Sequence, residues 1–251
     1  MIENQSIYEK IISAVSNKEK LLAFLLDPDK YSEKELESLI KKIEKCPPNL
    51  IFVGGSIIST PIDFFVKFLK ERLDIPLILF PGHPMHICQG FDAILFLSMI
   101  SGRNPELLIG NHVVSAPIIK RYGIETISTG YMLIDGGVST SVEYMSNTRP
   151  IPADKTDIII ATAMAGEMMG NKMIYMDAGS GALNAISEKN IKAVKENCTV
   201  PLIIGGGIKT PQKLESAFKN GADIVVIGNA LEKETNFLEE FRYISSSNSI
   251  V

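Results

Sequence analysis

The 251-residue sequence contains no tryptophan, only three cysteines and three histidines, and no run of eighteen consecutive apolar residues. Cys46, Cys88 and Cys198 are odd in number and far apart, so they predict neither a disulfide framework nor a zinc site. The best candidate for a membrane span, residues 75–91, is interrupted by prolines and histidines, which argues against one. Residues 1–5 lack the basic and apolar regions of a signal peptide, and we therefore expect a cytoplasmic protein.

The sequence also carries no large excess of positive or negative charge. The formal net charge of −4 gives no electrostatic reason to expect nucleic-acid binding. An anionic ligand would have to be held locally, by glycine amides, helix ends or a metal ion. His83 and His86 are three residues apart and precede Cys88, but Pro84 lies between them and no fourth ligand pairs with them. This pattern does not favour a zinc site.

Apolar runs typical of buried strands alternate with helical segments about eight times along the chain. Helix starts are marked, for example, by Ser32 three residues before Glu35, the pattern of a capping box. No change of composition marks a linker. The sequence therefore predicts an α/β fold, a single-domain (β/α)8 TIM barrel over residues 1–251, with a leading helix within residues 1–20 and a frayed tail at residues 245–251.

Glycines end the last two predicted strands. The apolar run at residues 201–204 leads into Gly205-Gly206-Gly207, and the run at residues 224–227 leads into Gly228-Asn229. Glycines allow backbone N–H groups to approach an anion without a Cβ atom in the way. Two such turns in this order resemble the phosphate site that barrels form after strands 7 and 8. They predict a phosphate ligand, although ordinary strand-to-helix turns are the other interpretation.

Polar side chains follow other predicted strands. Asp27 follows strand one, Ser56 follows strand two, and Tyr175 and Asp177 lie in strand six. The carboxyl ends of the strands of a barrel meet at one face, so we expect these groups to share a site. Carboxylate and hydroxyl oxygens suit Mg²⁺, which completes its coordination with water and substrate phosphate. An Asp-Pro pair is often only a turn, but Ser32 already caps the following helix, so capping does not require Asp27.

The segment at residues 135–152 is longer than most connections between a strand and a helix, which indicates a functional loop.

Five segments, taken in order, resemble the geranylgeranylglyceryl phosphate synthase family. The most specific is Tyr175-Met176-Asp177-Ala178-Gly179-Ser180-Gly181, and the others are residues 26–30, 53–56, 205–207 and 228–229. The match extends from about residue 22 to residue 230. It implies a modified (β/α)8 barrel that joins a polyprenyl pyrophosphate, geranylgeranyl pyrophosphate above all, to the C3 hydroxyl of sn-glycerol 1-phosphate. The product is an ether, pyrophosphate is released, and Mg²⁺ is required.

The resemblance also implies roles for single residues. Asp27 and Ser56 would bind Mg²⁺ beside the pyrophosphate. Asp177, with Tyr175, would be catalytic, either at the glycerol hydroxyl or as a stabiliser of the allylic cation; many family members carry Glu at the position of Asp177. The residues expected to hold sn-glycerol 1-phosphate are Tyr175, Met176, Asp177, Ala178, Gly179, Ser180, Gly181, Gly206, Gly207, Gly228 and Asn229.

A prenyl donor needs an apolar groove. Candidate wall residues are Phe80, Ile94, Phe96, Leu97, Met99 and Ile100, with Tyr131 and Met132 beyond them. Each of these could instead be ordinary barrel core. The apolar residues Leu107, Leu108, Val113 and Val114 could line a subunit interface, and the resemblance implies a homodimer or a homohexamer. Transient contact with a membrane surface is expected for a lipid product.

Three alternatives stay open from the residues. The donor could be longer, such as a heptaprenyl pyrophosphate. The chain could be a phosphosugar isomerase or an aldolase-like barrel that shares only the phosphate site. It could also be a catalytically silent phosphate-binding scaffold, but such a scaffold would not require Asp27 and Asp177 together.

Overall fold

Eight parallel strands close into one barrel in the computed structural model, which describes residues 5–228 apart from the side chain of Glu33. Each strand pairs with the next, and the pairing of β1 with β8 completes the barrel. The predicted barrel is confirmed. The strands are β1 (Leu21–Leu26), β2 (Leu50–Val53), β3 (Leu77–Leu79), β4 (Ala93–Met99), β5 (Glu125–Leu133), β6 (Met173–Asp177), β7 (Leu202–Gly205) and β8 (Ile224–Ile227).

Helices surround the barrel but do not follow every strand. Between β3 and β4 the chain forms only a short 3-10 turn, Pro84–His86, so the barrel departs from the regular alternation at this point. After β4 a π-helical turn, Glu106–Gly110, continues directly into the next helix. The α-helices are α1 (Ile7–Ser16), α2 (Glu33–Lys45), α3 (Ile62–Lys70), α4 (Asn111–Tyr122), α5 (Ser141–Ser146), α6 (Thr156–Met168), α7 (Glu188–Asn197) and α8 (Pro211–Lys219).

The side chains of each strand alternate between the barrel interior and the layer under the helices. In β6, Met173 and Tyr175 pack with the interior residues, whereas Ile174 and Met176 pack with the buried faces of the helices. This alternation follows from the period of two residues in a strand. It also decides which residues of a strand can reach a ligand at the barrel mouth.

Helix α1 covers the amino-terminal end of the barrel. Its buried residues Ile7 and Ile11 belong to the same apolar cluster as the barrel interior. The backbone N–H groups of Ile7 and Tyr8 donate to the two carboxylate oxygens of Glu125 at 2.6 and 2.9 Å, and Glu125 begins β5. The predicted leading helix is thus present, and it closes the end of the barrel opposite the strand ends that carry the polar residues. The tail predicted at residues 245–251 lies outside the described residues.

The segment at residues 135–152 is partly helical, since it contains α5. The hydroxyl of Thr140 accepts from the N–H of Glu143 and caps this helix. A six-residue helix is too short to show an apolar period in the sequence. Over the part of the chain that is described, no helix is both long and apolar enough to cross a membrane.

Candidate active site

A cavity of about 1120 Å³ opens at the carboxyl ends of the strands. It reaches from the end of β1 to the end of β8, so the two groups of polar residues expected from the sequence share one space. Asn229, also expected there, lies outside the described residues. The expected site residues that line the cavity are Asp27, Ser56, Tyr175, Asp177, Gly179, Ser180, Gly181, Gly206, Gly207 and Gly228.

Met176 and Ala178 do not line the cavity. Both are buried in the layer between the barrel and the helices. Their neighbours Tyr175 and Asp177 face the opposite way, as strand alternation requires. A contribution of Met176 or Ala178 to substrate binding could therefore come only from their backbone atoms.

Asp177 is held in one orientation at the end of β6. The residue is only 8% exposed, the Tyr131 hydroxyl donates to Oδ2 at 2.7 Å, and the N–H of Gly179 donates to Oδ1 at 2.7 Å. Burial raises the pKa of Asp177, and the two hydrogen bonds oppose this by favouring the ionised form. A carboxylate of raised pKa at a cavity wall is suited to accept a proton near neutral pH.

Three aromatic rings lie beside this carboxylate. The ring centroids of Tyr131 and Tyr175 are 5.4 Å apart, and Phe80 lies 6.1 and 5.5 Å from them. Burial, with the nearby charge of Asp177, raises the pKa of both tyrosines well above its ordinary value. Both phenols therefore stay protonated, and toward Asp177 the Tyr131 hydroxyl acts as a hydrogen-bond donor.

Gly206 and Gly207 follow β7 with backbone φ angles of 75° and 70°, in the left-handed region. A Cβ atom on Gly206 would lie 2.6 Å from Oδ1 of Asp177 and 2.6 Å from the nitrogen of Gly179. Glycine is therefore required both by its conformation and by the close approach of the β6 and β7 ends. This part of the cavity, residues 206–207 together with Asp177, is called the acceptor side below.

Asp27 and Ser56 line the opposite part of the cavity, at the ends of β1 and β2. Asp27 does have a capping role: its Oδ1 accepts from the N–H of Asp29 at 3.2 Å and caps the turn Pro28–Lys30. Helix α2 is capped by Ser32, as expected, and the separate turn before it is capped by Asp27, which no sequence pattern indicated. The Asp27 carboxylate also faces Gly55, where a Cβ atom would lie 3.0 Å from it.

The part of the cavity formed by Asp27 and Ser56 is called the donor side below. The carboxylate and hydroxyl oxygens of these two residues suit a magnesium ion. Mg²⁺ typically uses one or two carboxylates and completes its octahedron with water and substrate phosphate. Within residues 5–228, no three His, Cys, Asp or Glu side chains cluster as a metal site. The two oxygen ligands that Asp27 and Ser56 offer are suited to a site that water and substrate phosphate complete.

Asp29 joins the loops that carry the donor side. Its carboxylate accepts from the N–H of Ser59 at 2.8 Å, from the Ser59 hydroxyl at 2.9 Å and from the N–H of Thr60 at 2.7 Å. Burial opposes ionisation, but these hydrogen bonds outweigh it and lower the pKa of Asp29 to about 2. The same bonds explain why α3 begins at Ile62, since Thr60 is held by Asp29 and does not cap the helix.

An apolar wall runs from the aromatic rings toward β4 and α5. Six of the expected groove residues line it: Phe80, Ile94, Phe96, Leu97, Met99 and Tyr131. Ile100 and Met132 face the helices, and their assignment to the groove is wrong. Leu107, Val142 and Met145 extend the wall, so Leu107, which the sequence suggested for a subunit interface, borders the cavity instead.

Two polar features were not predictable from the sequence. The bond between Tyr131 and Asp177 joins residues 46 positions apart, and only the pairing of β5 with β6 brings them together. His86 and Lys209 also line the cavity, and the Lys209 ammonium donates to the carbonyl oxygen of Ala182 at 2.7 Å. The only signal in the sequence for His86 and Lys209 was their position in loops that follow strands.

Comparisons with known proteins agree with this geometry. The model of the PcrB family matches residues 15–245. A geranylgeranylglyceryl phosphate synthase of Chitinophaga pinensis is 49% identical over 238 residues, 94% of each chain. The enzyme of the same name from Methanosphaera stadtmanae is 36% identical over 94% of this chain and 97% of its own. The crystal structure of (S)-3-O-geranylgeranylglyceryl phosphate synthase from Thermoplasma acidophilum in complex with sn-glycerol-1-phosphate superposes with a TM-score of 0.90 at 29% identity, over 98% of this chain and all of that chain.

Proposed function

This chain belongs to the PcrB family, and we propose that it is a prenyltransferase that joins geranylgeranyl pyrophosphate to the C3 hydroxyl of sn-glycerol 1-phosphate. The observation that carries the proposal is the single cavity in which the acceptor side, the donor side and an apolar wall meet. The bound ligand of the Thermoplasma acidophilum enzyme supports sn-glycerol 1-phosphate as the acceptor. Isomerases and aldolases of the same fold have no need for the apolar wall.

On the acceptor side, the turns at Gly206, Gly207 and Gly228 hold the phosphate through backbone N–H groups. The anchored glycerol then presents its C3 hydroxyl to Asp177. Positioning of this kind converts a bimolecular reaction into an effectively unimolecular one. Asp177, whose ionised form is favoured by the hydrogen bonds of Tyr131 and Gly179, accepts the hydroxyl proton as the ether bond forms.

On the donor side, the bond between the allylic carbon and the pyrophosphate oxygen breaks, and its electron pair leaves with the pyrophosphate. Asp27 and Ser56 would hold Mg²⁺ here. When bound, the ion stabilises the negative charge of the leaving group. The rings of Tyr131, Tyr175 and Phe80 stabilise positive charge on the allylic carbon, because their π-electrons attract cations.

The apolar wall binds the prenyl tail. Burial contributes about 0.8 kcal/mol per CH₂ group, so a twenty-carbon tail gains on the order of 10 kcal/mol. A phosphate at a helix end gains only about 0.3–2 kcal/mol. The tail therefore dominates donor affinity, and tail length is the property by which a geranylgeranyl donor and a heptaprenyl donor differ.

The direct test is an incubation with Mg²⁺, sn-glycerol 1-phosphate and prenyl pyrophosphates from C10 to C35, followed by analysis of ether products. We expect a prenylglyceryl phosphate, with the highest rate for the C20 donor. A maximum at C35 would assign the heptaprenyl alternative, and no ether product at any length would overturn the proposal. Omission of Mg²⁺, with EDTA present, should abolish the reaction if the metal assignment is right.

We also propose that the mouth of the cavity touches a membrane surface when the lipid product leaves, in a protein that is otherwise cytoplasmic. The loops after β2, β3, β5 and β6 carry exposed apolar side chains around the mouth. Apolar and tyrosine side chains of this kind enter the interface of a bilayer. The exposed apolar side chains around the mouth are Ile57, Met85, Val138, Tyr144, Met145 and Leu183. Sedimentation with phospholipid vesicles should be weaker for the variant Met85→Ser, and equal sedimentation would contradict the proposal.

The proposed homodimer or homohexamer has a candidate surface on α4. Val114, Ile118 and Tyr122 are exposed and recur at intervals of four residues, so they lie on one face of the helix. A continuous apolar face of this kind marks an interaction site. We assign it to a second copy of the chain.

A further inference from the structure

His86 lies at the cavity in a position that no step described so far uses. It ends the 3-10 turn Pro84–His86, and only 8% of the residue is exposed. Nevertheless its side chain lines the cavity, together with the donor-side residues Asp27 and Ser56. A histidine that is nearly buried yet borders a ligand cavity has one face available for binding.

The hydrogen bond of the ring fixes its tautomer. The backbone N–H of Gly82 donates to Nδ1 of His86 at 3.3 Å, so Nδ1 is an acceptor. A neutral imidazole whose Nδ1 accepts must carry its proton on Nε2. Burial, and then the neighbouring His83, lower the pKa of His86, while Asp29 opposes this. At neutral pH the ring is therefore a neutral group with one N–H donor left.

The surroundings place this ring next to the donor side. A Cβ atom on Gly82 would overlap the carbonyl oxygen of Gly55 and would lie 3.3 Å from Cε1 of His86. Gly55 in turn faces the Asp27 carboxylate. The ring of His86, the backbone of Gly55 and the carboxylate of Asp27 therefore lie side by side along the cavity wall.

A metal site does not explain His86. The rings of His83 and His86 are 6.3 Å apart, and Nδ1 of each accepts a backbone N–H, for His83 that of Met85 at 3.2 Å. Among residues 5–228 these two histidines are not part of any cluster of three potential ligands. An N–H donor beside the carboxylate that would hold Mg²⁺ instead suits an anion that carries several oxygens.

We propose that Nε2–H of His86 donates a hydrogen bond to a pyrophosphate oxygen of the prenyl donor. This rests on the proposed function and adds a ligand-contacting residue to it. No proton is transferred: the carbon–oxygen bond breaks, the electron pair passes to the pyrophosphate, and the hydrogen bond strengthens as negative charge grows on the leaving group. Hydrogen bonds to charged groups are the stronger ones, and they shorten as charge increases.

The test compares two replacements of similar size. His86→Gln keeps an N–H donor, whereas His86→Phe fills the space of the ring without one. With sn-glycerol 1-phosphate saturating, the KM for geranylgeranyl pyrophosphate and the inhibition constant of inorganic pyrophosphate should rise about ten- to a hundredfold in His86→Phe. Both should rise less in His86→Gln, and the KM for sn-glycerol 1-phosphate should not change in either. Gln89→Ala, at an exposed residue of the same loop that does not line the cavity, is the matched control.

Equal donor KM values for His86→Phe and the wild-type protein would overturn the inference, and so would an effect of Gln89→Ala as large as that of His86→Phe. Direct calorimetric titration with Mg²⁺-pyrophosphate separates this inference from the proposed function. A wild-type protein that makes no ether but still binds pyrophosphate more tightly than His86→Phe would contradict only the proposed reaction. Equal pyrophosphate binding by the two proteins contradicts the role of His86.

Discussion

Asp177 is the residue on which the proposed chemistry depends most. Its replacement by Asn keeps the shape and the acceptor oxygen but removes the negative charge and the ability to take a proton. We expect Asp177→Asn to lower turnover by about 10²–10⁴-fold. Binding of sn-glycerol 1-phosphate should change little, because the glycine turns hold the phosphate. Rapid-quench rates and a binding titration measure the two effects.

The control for this substitution is Asp154→Asn, since Asp154 is exposed and paired only with its neighbour Lys155. Near-normal turnover of Asp177→Asn would remove this carboxylate from the mechanism.

Tyr131 positions Asp177 and controls its ionisation. Its hydrogen bond lowers the pKa of Asp177 against the effect of burial, so Tyr131→Phe should raise that pKa further. The ionised carboxylate is the active form, and the acidic limb of the pH–rate profile should therefore move to higher pH. At neutral pH we expect a loss of about tenfold, the value of one hydrogen bond to a charged group. Tyr144→Phe, at an exposed tyrosine, should leave the profile unchanged.

At the scale of elements, Asp29 holds the loop after β2 against the loop after β1. Asp29→Ala removes three hydrogen bonds, and we expect a loss of about 1 kcal/mol in the free energy of unfolding, because exposed bonds to a charge are partly screened. The loop carries Ser56, so the Mg²⁺ concentration needed for half-maximal activity should rise. Thermal unfolding and a metal titration measure these changes.

The pH dependence of this difference has a definite sign. The pKa of Asp29 is about 2 in the folded protein and about 3.8 without its partners. Its contribution is thus present above pH 3.8 and is lost as the pH falls toward 2. The stability difference between the wild type and Asp29→Ala should shrink over this range. A difference that does not depend on pH would show that the carboxylate charge does not matter.

A charge placed on the apolar face of α4 tests whether this face is the subunit interface. Ile118→Lys places a charge at the centre of the face, and we expect it to reduce the mass of the particle in solution, measured by light scattering during size-exclusion chromatography. Lys120→Glu, on the same helix but outside the apolar face, is the control for a change of charge. An unchanged mass for Ile118→Lys, with the wild type oligomeric, would place the interface elsewhere.

At the scale of the whole molecule, the strands and the barrel could be predicted because buried parallel strands are continuous apolar runs that end in glycine or aspartate. Strand parity could also have shown that Met176 faces the helices, since it lies between Tyr175 and Asp177. The helical part of residues 135–152 could not be predicted, because six residues define no period. The Tyr131–Asp177 bond depends on strand register, which the sequence of neither strand determines alone.

The one cavity shared by both substrates, at the carboxyl ends of the strands, also governs how the substrates and the ether compete with one another. The ether carries the glycerol phosphate and the prenyl tail together, so it occupies the acceptor side and the apolar wall at once and can leave only through the mouth. Added ether should therefore act as a competitive inhibitor against both substrates. Steady-state rates at several ether concentrations measure this, and uncompetitive inhibition against either substrate would require separate sites. Removal of the ether by a lipid phase or by a following enzyme should therefore relieve this inhibition.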